Sequence, residues 1–149
     1  MQSCLRWTTT RWERDLANRF PNNRLISDQA GMRDDMAKVI ACIDWPHRDL
    51  DLPLDMRHGT AFQRKVWEVI RTVPCSATIS YAAIARRLGM PHAARAVAGA
   101  CAANAIAMGI PCHRVVHDKG TLSGYRWGAF RKRVLLNSMR VLLNREQLF

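Results

Sequence analysis

The residues best suited to chemistry in this chain are a cysteine and a histidine that lie side by side. Cys112 and His113 occur in the apolar segment IPCHRVV, directly behind Pro111. A cysteine attacks carbon only as the thiolate, and a neighbouring imidazole can take its proton. Adjacent residues on an extended chain point to opposite faces, so a direct bond between them needs a bend or a bridging water. Taken alone, the pair favours a buried structural cysteine, because free cysteine is among the most buried residue types.

The other cysteines indicate neither a disulfide framework nor a metal site. The chain of 149 residues has five cysteines, an odd number, and none forms a C-x-x-C pair. The segment CHRVVH also lacks a second pair of ligands at a plausible spacing for zinc. We therefore expect reduced thiols, no metal and no cofactor.

The charge distribution points to a polyanionic partner. The net charge is +11, and residues 81–149 hold eleven Lys or Arg against two acidic residues. A basic half of this kind is typical of nucleic-acid binding, although a merely soluble basic surface gives the same count. No apolar run approaches the roughly 20 residues of a membrane span, and the N-terminus does not resemble a signal peptide. We expect a cytoplasmic protein of one ordinary domain, or one domain and part of another, without a membrane or an obligate protein partner.

Amphipathic helices are predicted on both sides of a Pro-containing linker at residues 45–56. Two short helices precede the linker. The first has Trp12, Leu16 and Phe20 on one face. The second is predicted to begin at Asp28 as its cap, and its apolar face consists of Met32, Met36, Val39, Ile40 and Ile43. The helix after the linker, GTAFQRKVWEVIRTV, has Thr60 and Gln63 in the register of a capping box.

The segment from Ser80 to Asn104 is predicted to be a helix-turn-helix. SYAAIARRLG ends at Gly89, a typical C-cap, and the next helix is predicted to begin around Pro91. Its small residues, Ala94 and Ala96 beside Arg95, would let the helix backbone lie near a DNA groove. Many helical hairpins bind nothing, so this pattern alone is weak evidence.

The remainder is predicted to be a strand or extended loop, a turn and a closing helix. Residues 105–116 form the extended segment, in which Gly109 would loosen a strand, and HDKGTLSG forms the turn. The closing helix places Val134, Leu135, Met139 and Leu142 inward. Its basic start is unusual for a helix N-terminus, and either a nearby phosphate backbone or plain solvated charge would account for it.

Several motifs in order resemble the O6-alkylguanine-DNA alkyltransferase family. They are GTAFQRKVW, TISYAAIARRLG, ARAVAGACAAN, IPCHRVV and GTLSGYRWG, without a gap from about Gly59 to Leu136. The resemblance implies an α+β, mostly helical fold: a winged helix-turn-helix-like domain at 59–149, preceded at 1–58 by a truncated remnant of a ribonuclease-H-like α/β domain. It also implies DNA repair, in which a minor-groove-bound protein rotates the damaged guanine out of double-stranded DNA and a cysteine irreversibly takes its alkyl group.

The resemblance assigns roles to seven positions. Cys112 matches the alkyl acceptor, His113 its base, Asn104 the hinge asparagine and Tyr81 the tyrosine that helps rotate the nucleotide. The remaining matches concern DNA and the base: Arg95 fills the vacated stack with Ala94 and Ala96 beside it, the Val115 carbonyl reads the guanine amine, and Tyr125 lies in the loop that closes over the pocket.

Two departures from the family pattern weaken that assignment. The family orients its histidine with a glutamate 27 residues after the cysteine, but this chain has Met139 there. Glu146 lies about 10 Å further along the same helix face, too far to substitute. The 58 residues before Gly59 also show no strand pattern, so the sheet of the preceding domain is predicted to be missing. Apolar faces at Phe20 and Met36 would then lack a partner, which predicts marginal stability or self-association.

Three functions are consistent with the sequence. The first is a DNA-repair methyltransferase that alkylates itself at Cys112. The second is a non-catalytic lesion-binding relative; Met139 favours it, but such proteins replace the cysteine, which is intact here. The third is a helix-turn-helix transcription regulator, which explains the charge but gives no reason for the PCHRV motif.

Overall fold

A computed structural model describes residues 13–45, 50–118, 122 and 124–146, with side chains through Met139. The fold is mostly helical with one small sheet, as expected. The elements are α1 (13–19), α2 (Arg33–Asp44), α3 (Ala61–Arg71), β1 (Ile79–Ser80), α4 (Tyr81–Arg87), α5 (Ala94–Ala103), a 3₁₀ turn (Cys112–Arg114), β2 (Val115–Val116) and α6 (Ala129–Glu146). No described helix is both long enough and apolar enough to cross a membrane.

Helix α3 is the centre of the core. The predicted capping box is confirmed: the Gln63 amide donates to Thr60 Oγ1, and the Thr60 amide donates to Gln63 Oε1. Trp67 is fully buried. Its indole Nε1–H donates to the Ala100 carbonyl at 2.9 Å, which ties α3 to α5. Truncation of a buried tryptophan costs about 3–5 kcal/mol, so this contact is a principal support of the helix-turn-helix.

Helices α4 and α5 form the predicted helix-turn-helix. Ser80 caps α4 by accepting from the Ala83 amide. Gly89, which follows the C-cap residue of α4, has φ +72°, a conformation that favours glycine. The predicted start of the second helix is wrong by three residues. Pro91 lies in the connection, and α5 begins at Ala94 without a side-chain cap.

The segment that carries Cys112 was predicted to be a strand or an extended loop, and in the structure Cys112–Arg114 form a tight 3₁₀ turn. Only Val115 and Val116 are extended, and they pair in parallel with Ile79 and Ser80. Gly109 lies in a turn, and a Cβ there would come within 2.8 Å of the Leu54 side chain. Glycine at position 109 therefore permits close packing against Leu54, and the segment is not a strand that it could loosen. Half of the predicted HDKGTLSG turn lies outside the described residues.

The chain divides into two compact units, one ending at Arg33 and one beginning at Asp34. The predicted domain boundary at residue 58 remains a prediction, as does the truncated remnant. Within the second unit, Met36, Ile40 and Ile43 of α2 are each about half exposed. In the first unit Phe20 is half-buried, and Trp12 lies outside the described residues. The prediction that Asp28 caps the second helix is wrong, because α2 begins at Arg33; Asp28 instead accepts from the Gly31 amide in a preceding turn.

Helix α6 presents a different inward face from the predicted one. Met139 is buried and Leu135 half-buried, but Val134 is 46% exposed. Lys132 is buried in its place. The side chain of Leu142 lies outside the described part of α6.

Candidate active site

The end of α5 is joined to the Cys112 turn by Asn104. This residue is fully buried and ends α5 as its C-cap. Its Nδ2 donates to the Ile110 carbonyl at 2.8 Å and to Cys112 Sγ at 3.0 Å. Its Oδ1 accepts from the Ile106 amide at 2.8 Å. One side chain thus supports the loop on both sides of the turn and also donates to the sulfur.

Cys112 is the first residue of the 3₁₀ turn and is only 2% exposed. Cys101, on the last turn of α5, belongs to the same buried core cluster as Cys112. Its interaction with the Cys112 sulfur, followed by burial, raises the pKa of Cys101, so the Cys101 thiol stays protonated. The amide of Asn104 donates directly to the Cys112 sulfur.

His113 lies next to Cys112 but has a different environment. It is 1% exposed, and neither ring nitrogen has a hydrogen-bond partner among the described residues. Burial lowers the pKa of His113 to about 3, and the positive charges of Arg114 and Lys132 add to this. The imidazole is therefore neutral at physiological pH. It can accept a proton only if a transient negative charge nearby stabilises the resulting cation.

Lys132 is a site residue that the sequence did not reveal. Its Nζ donates to the Val115 carbonyl at 2.6 Å and lies 6.0 Å from the centre of the Tyr81 ring. Burial lowers the pKa of Lys132, whereas its interactions with the Cys101 and Cys112 sulfurs oppose that effect. A lysine in the basic run RKR is typical of a solvated helix start, so the burial of Lys132 was not predicted from the sequence. The contact with the Val115 carbonyl explains the position of Lys132 at the start of α6. Neither of the two predicted explanations, a nearby phosphate backbone and plain solvated charge, included such a contact.

The parallel strand pair brings Tyr81 to the Cys112 turn. Because Ser80 pairs with Val116, the residues that follow, Tyr81 and His117, lie side by side, and their ring centres are 5.3 Å apart. Tyr81 is 6% exposed and is the first residue of α4. The helix-turn-helix therefore begins at the wall of the site.

Tyr125 covers another side of the site. Its ring centre is 6.5 Å from that of His113, nearly perpendicular, and 5.1 Å from that of Trp127. Burial, with the negative charge of Cys112, raises the pKa of Tyr125 to about 12. Its phenol therefore remains a proton-bearing group at physiological pH.

The outer face of α5 is small and exposed. Arg95 and Ala96 are exposed, Ala94 is half-buried, and a Cβ at Gly99 would meet nothing within 4 Å. The opposite face packs Val97 and Ala100 into the core. The helix thus has one cationic side chain on an otherwise flat surface, as close approach to a groove requires.

Met139 occupies the position where the resemblance predicts a carboxylate. It is 5% exposed and lines a cavity of about 390 Å³ that Val116, Cys75 and Arg133 also line. A thioether is at most a weak hydrogen-bond acceptor, so it cannot stabilise an imidazolium as a carboxylate would. The structure brings together Cys112, His113, Asn104, Tyr81, Val115 and Tyr125 around this site and leaves Arg95 on the outer helix face.

Comparison with known proteins identifies a matching family. Residues 61–141 match the model of the 6-O-methylguanine DNA methyltransferase, DNA binding domain. The bifunctional transcriptional activator/DNA repair enzyme Ada of Escherichia coli is 58% identical over 99 residues, which cover 66% of this chain and 28% of that protein. The chain thus spans little more than a quarter of that relative's length.

Solved structures agree with this match. Mycobacterium tuberculosis OGT in complex with DNA has a TM-score of 0.67 and 42% identity, covering 71% of this chain and 65% of that one. O6-methylguanine-DNA methyltransferase from the hyperthermophilic archaeon Pyrococcus kodakaraensis has a TM-score of 0.73 and 28% identity, covering 90% and 80%. By its sequence motifs, its fold and these matches, the chain belongs to the 6-O-methylguanine DNA methyltransferase family.

Proposed function

We propose that this protein repairs O6-alkylguanine in double-stranded DNA by transferring the alkyl group to Cys112. A bond forms between Cys112 Sγ and the alkyl carbon as the carbon–oxygen bond of the lesion breaks. The electron pair goes to the guanine, which takes up the proton that the thiol gives away. A thioether is not easily cleaved, so each protein molecule acts once. Alkyl groups on O4 of thymine are a second substrate of the same chemistry.

The observation that carries this proposal is the position of Cys112 Sγ. It accepts a hydrogen bond from Asn104 Nδ2 at 3.0 Å and lies in the turn whose strand pairs with the start of α4. A sulfur held by an amide donor is suited to attack, and its turn is hydrogen-bonded to the proposed DNA-binding element. A structural cysteine would have no need of this arrangement.

The burial of Cys112 supports extrusion of the damaged base. The sulfur cannot reach a base inside the helical stack, so the nucleotide must rotate into the protein. Tyr81 would assist that rotation and Arg95 would fill the vacated stack from the exposed face of α5. The Val115 carbonyl would read the guanine amine, and because a carbonyl has two lone pairs, its bond from Lys132 leaves one available. Tyr125 would close over the base.

Location and organisation follow from this activity. We propose a cytoplasmic protein associated with the nucleoid through its DNA binding. Residues 59–149 would carry both DNA binding and catalysis. Residues 1–58 would be a truncated remnant of the preceding domain.

The test is the loss of the lesion from DNA. A duplex with one O6-methylguanine is incubated with increasing amounts of protein, and the remaining lesion is measured by chromatography of the digested bases. We expect one lesion lost per protein molecule, without turnover. Cys112→Ala should bind the same duplex but remove none. Full binding without lesion loss by the unaltered protein would contradict the proposal.

A second candidate function is lesion binding without transfer. The observation in its favour is the buried Met139, which leaves His113 without the expected carboxylate. In that case the protein would bind the lesion duplex more tightly than an unmodified one and leave the lesion intact. The same experiment distinguishes the two functions.

A further inference from the structure

His117 is an exposed side chain at the edge of the site to which the motifs assign no role. It directly follows β2, and its ring centre lies 5.3 Å from that of Tyr81, with the two ring planes at 61°. Tyr81 is buried whereas His117 is exposed, so the pair of rings extends from the wall of the site to solvent. Apart from this ring contact, His117 has no hydrogen bond or ion pair within the described part of the chain. Its ring nitrogens are therefore available to a ligand.

A rotated nucleotide has its base and its phosphate in different surroundings. The base enters the protein, but the phosphate stays outside, because the backbone remains joined to neighbouring nucleotides that are still stacked. Cys112 and Tyr81 are both buried, so the base would be enclosed while the phosphate remains at the edge of the site. The exposed His117 lies at that edge, beside the tyrosine proposed to assist the rotation.

We propose that His117 binds the phosphate of the rotated nucleotide as an imidazolium and so stabilises the extruded state. This inference rests on the proposed function, because it supposes that the base rotates past Tyr81 towards Cys112. The contact is a charge-assisted hydrogen bond, which is stronger than a bond between neutral groups. A damaged base is more easily unstacked than an intact one, so the contact favours the lesion duplex. His117 is a positioning residue and does not touch the alkyl group.

Neither of the charged groups described next to His117 and Tyr81 can replace the imidazolium. Asp118 is next in the chain and exposed, and its carboxylate repels a phosphate. Lys132 Nζ is 6.0 Å from the Tyr81 ring centre, but it is buried and donates to the Val115 carbonyl. Histidine is the side chain whose charge ordinarily changes between about pH 5 and 8, so a phosphate contact through it makes binding pH-dependent.

The experiment measures DNA binding without methyl transfer, in a Cys112→Ala background. Fluorescence anisotropy gives the dissociation constants for a duplex with one O6-methylguanine and for the same duplex unmodified. They are measured at about pH 6 and about pH 8, over a series of salt concentrations. His117→Phe keeps a ring beside Tyr81 without a charge, and His117→Arg keeps a positive charge. His58→Phe is the matched control, because His58 is exposed and its ring centre lies 5.1 Å from that of Trp67.

The expected effect is confined to the lesion duplex at the lower pH. At about pH 6, His117→Phe should bind that duplex about fivefold more weakly, with a salt dependence lower by about one phosphate contact. Its affinity for the unmodified duplex should change less than about twofold, because that nucleotide stays stacked. At about pH 8 most of the difference should disappear, whereas His117→Arg should bind tightly at both pH values. His58→Phe should bind like the background protein throughout.

Two results would overturn the proposal. One is an unchanged affinity of His117→Phe for the lesion duplex at the lower pH. The other is an equal loss on both duplexes, because the contact would then be with DNA whose bases remain stacked. If binding follows the expectation but the unaltered protein removes no lesion, the proposed transfer fails while the role of His117 stands. If lesions are removed but His117→Phe binds normally, only the role of His117 fails.

Discussion

The two sides of Cys112 are supported in opposite ways. On the α5 side, Asn104 donates to the sulfur and has two further hydrogen bonds to different parts of the loop. On the α6 side, His113 is just as deeply buried, yet its two ring nitrogens have no hydrogen-bond partner among the described residues. Met139 stands where a carboxylate is expected.

This difference separates two ways of activating a thiol. A base assisted by a carboxylate removes the proton during attack, whereas fixed donors stabilise the anion before attack. The neutral His113 is poorly suited to remove the proton. The Asn104 amide on the α5 side is suited to stabilise the anion. We therefore expect reactivity in this protein to depend more on the α5 side than on the histidine.

The largest effect should come from removing the amide on the α5 side. Asn104→Ala removes one hydrogen bond each from the Ile110 carbonyl, the Ile106 amide and the Cys112 sulfur. Three lost hydrogen bonds of about 1 kcal/mol each predict a roughly hundredfold slower single-turnover transfer. Quenched-flow kinetics on the lesion duplex measure this rate. Asn137→Ala, at an exposed asparagine of α6, is the control and should be unchanged. A rate within twofold of the unaltered protein for Asn104→Ala would contradict the comparison.

A smaller effect should appear in the pH dependence of stability. The folded pKa of His113, about 3, is below its unfolded value of about 6.5, so the unfolded chain binds the extra proton first as pH falls. This contribution to stability is complete above about pH 6.5 and is lost as the pH falls towards 3. Between pH 7 and pH 5 it lowers the free energy of unfolding by about 2 kcal/mol.

His113→Phe should remove this part of the dependence, because phenylalanine is apolar and does not titrate. Urea unfolding at several pH values measures it. The exposed His92→Gln is the matched control and should keep the original slope. If His113→Phe also keeps that slope, His113 is not buried as a neutral ring.

The smallest effect should come from restoring the absent carboxylate. Met139→Glu would give His113 an acceptor and raise its pKa, so its side of the site would approach the α5 side. Burial of the carboxylate opposes this gain, and Arg133, which lines the same cavity, would also attract the carboxylate. We therefore expect only about a fivefold faster transfer. Met139→Gln, which has the same shape without the charge, should show no gain. An equal rate for Glu and Gln would mean that the histidine side does not limit the reaction.

The sequence predicted the elements of the fold better than their inward faces. The capping box at Thr60 and the glycine at the end of α4 depend on local chemistry that spacing alone reveals. The motifs likewise predicted the residues that gather around Cys112. Local rules could not predict that residues 112–114 form a 3₁₀ turn, because the loop is held by Asn104 and by pairing with a distant strand.

The burial of Lys132 and Cys101 could not be predicted from the sequence, for a physical reason. A lysine in a basic run and a cysteine in an alanine-rich helix are both typical of other environments. Their burial beside Cys112 arises from how α5 and α6 pack against the turn. Similarly, the apolar positions of α2 fit a helix face, but whether a face is covered depends on the rest of the fold, and Met36, Ile40 and Ile43 lie exposed.

The central claim is that the alkyl group arrives at Cys112. Peptide mass spectrometry after incubation with a duplex containing O6-methylguanine locates it among all the cysteines of the chain. We predict one methyl group on Cys112, located by fragmentation of its peptide, dependent on the lesion, absent with an unmodified duplex, and absent from Cys4, Cys42, Cys75 and Cys101. Methylation of a different cysteine, or none in protein that binds the lesion duplex, would contradict the account.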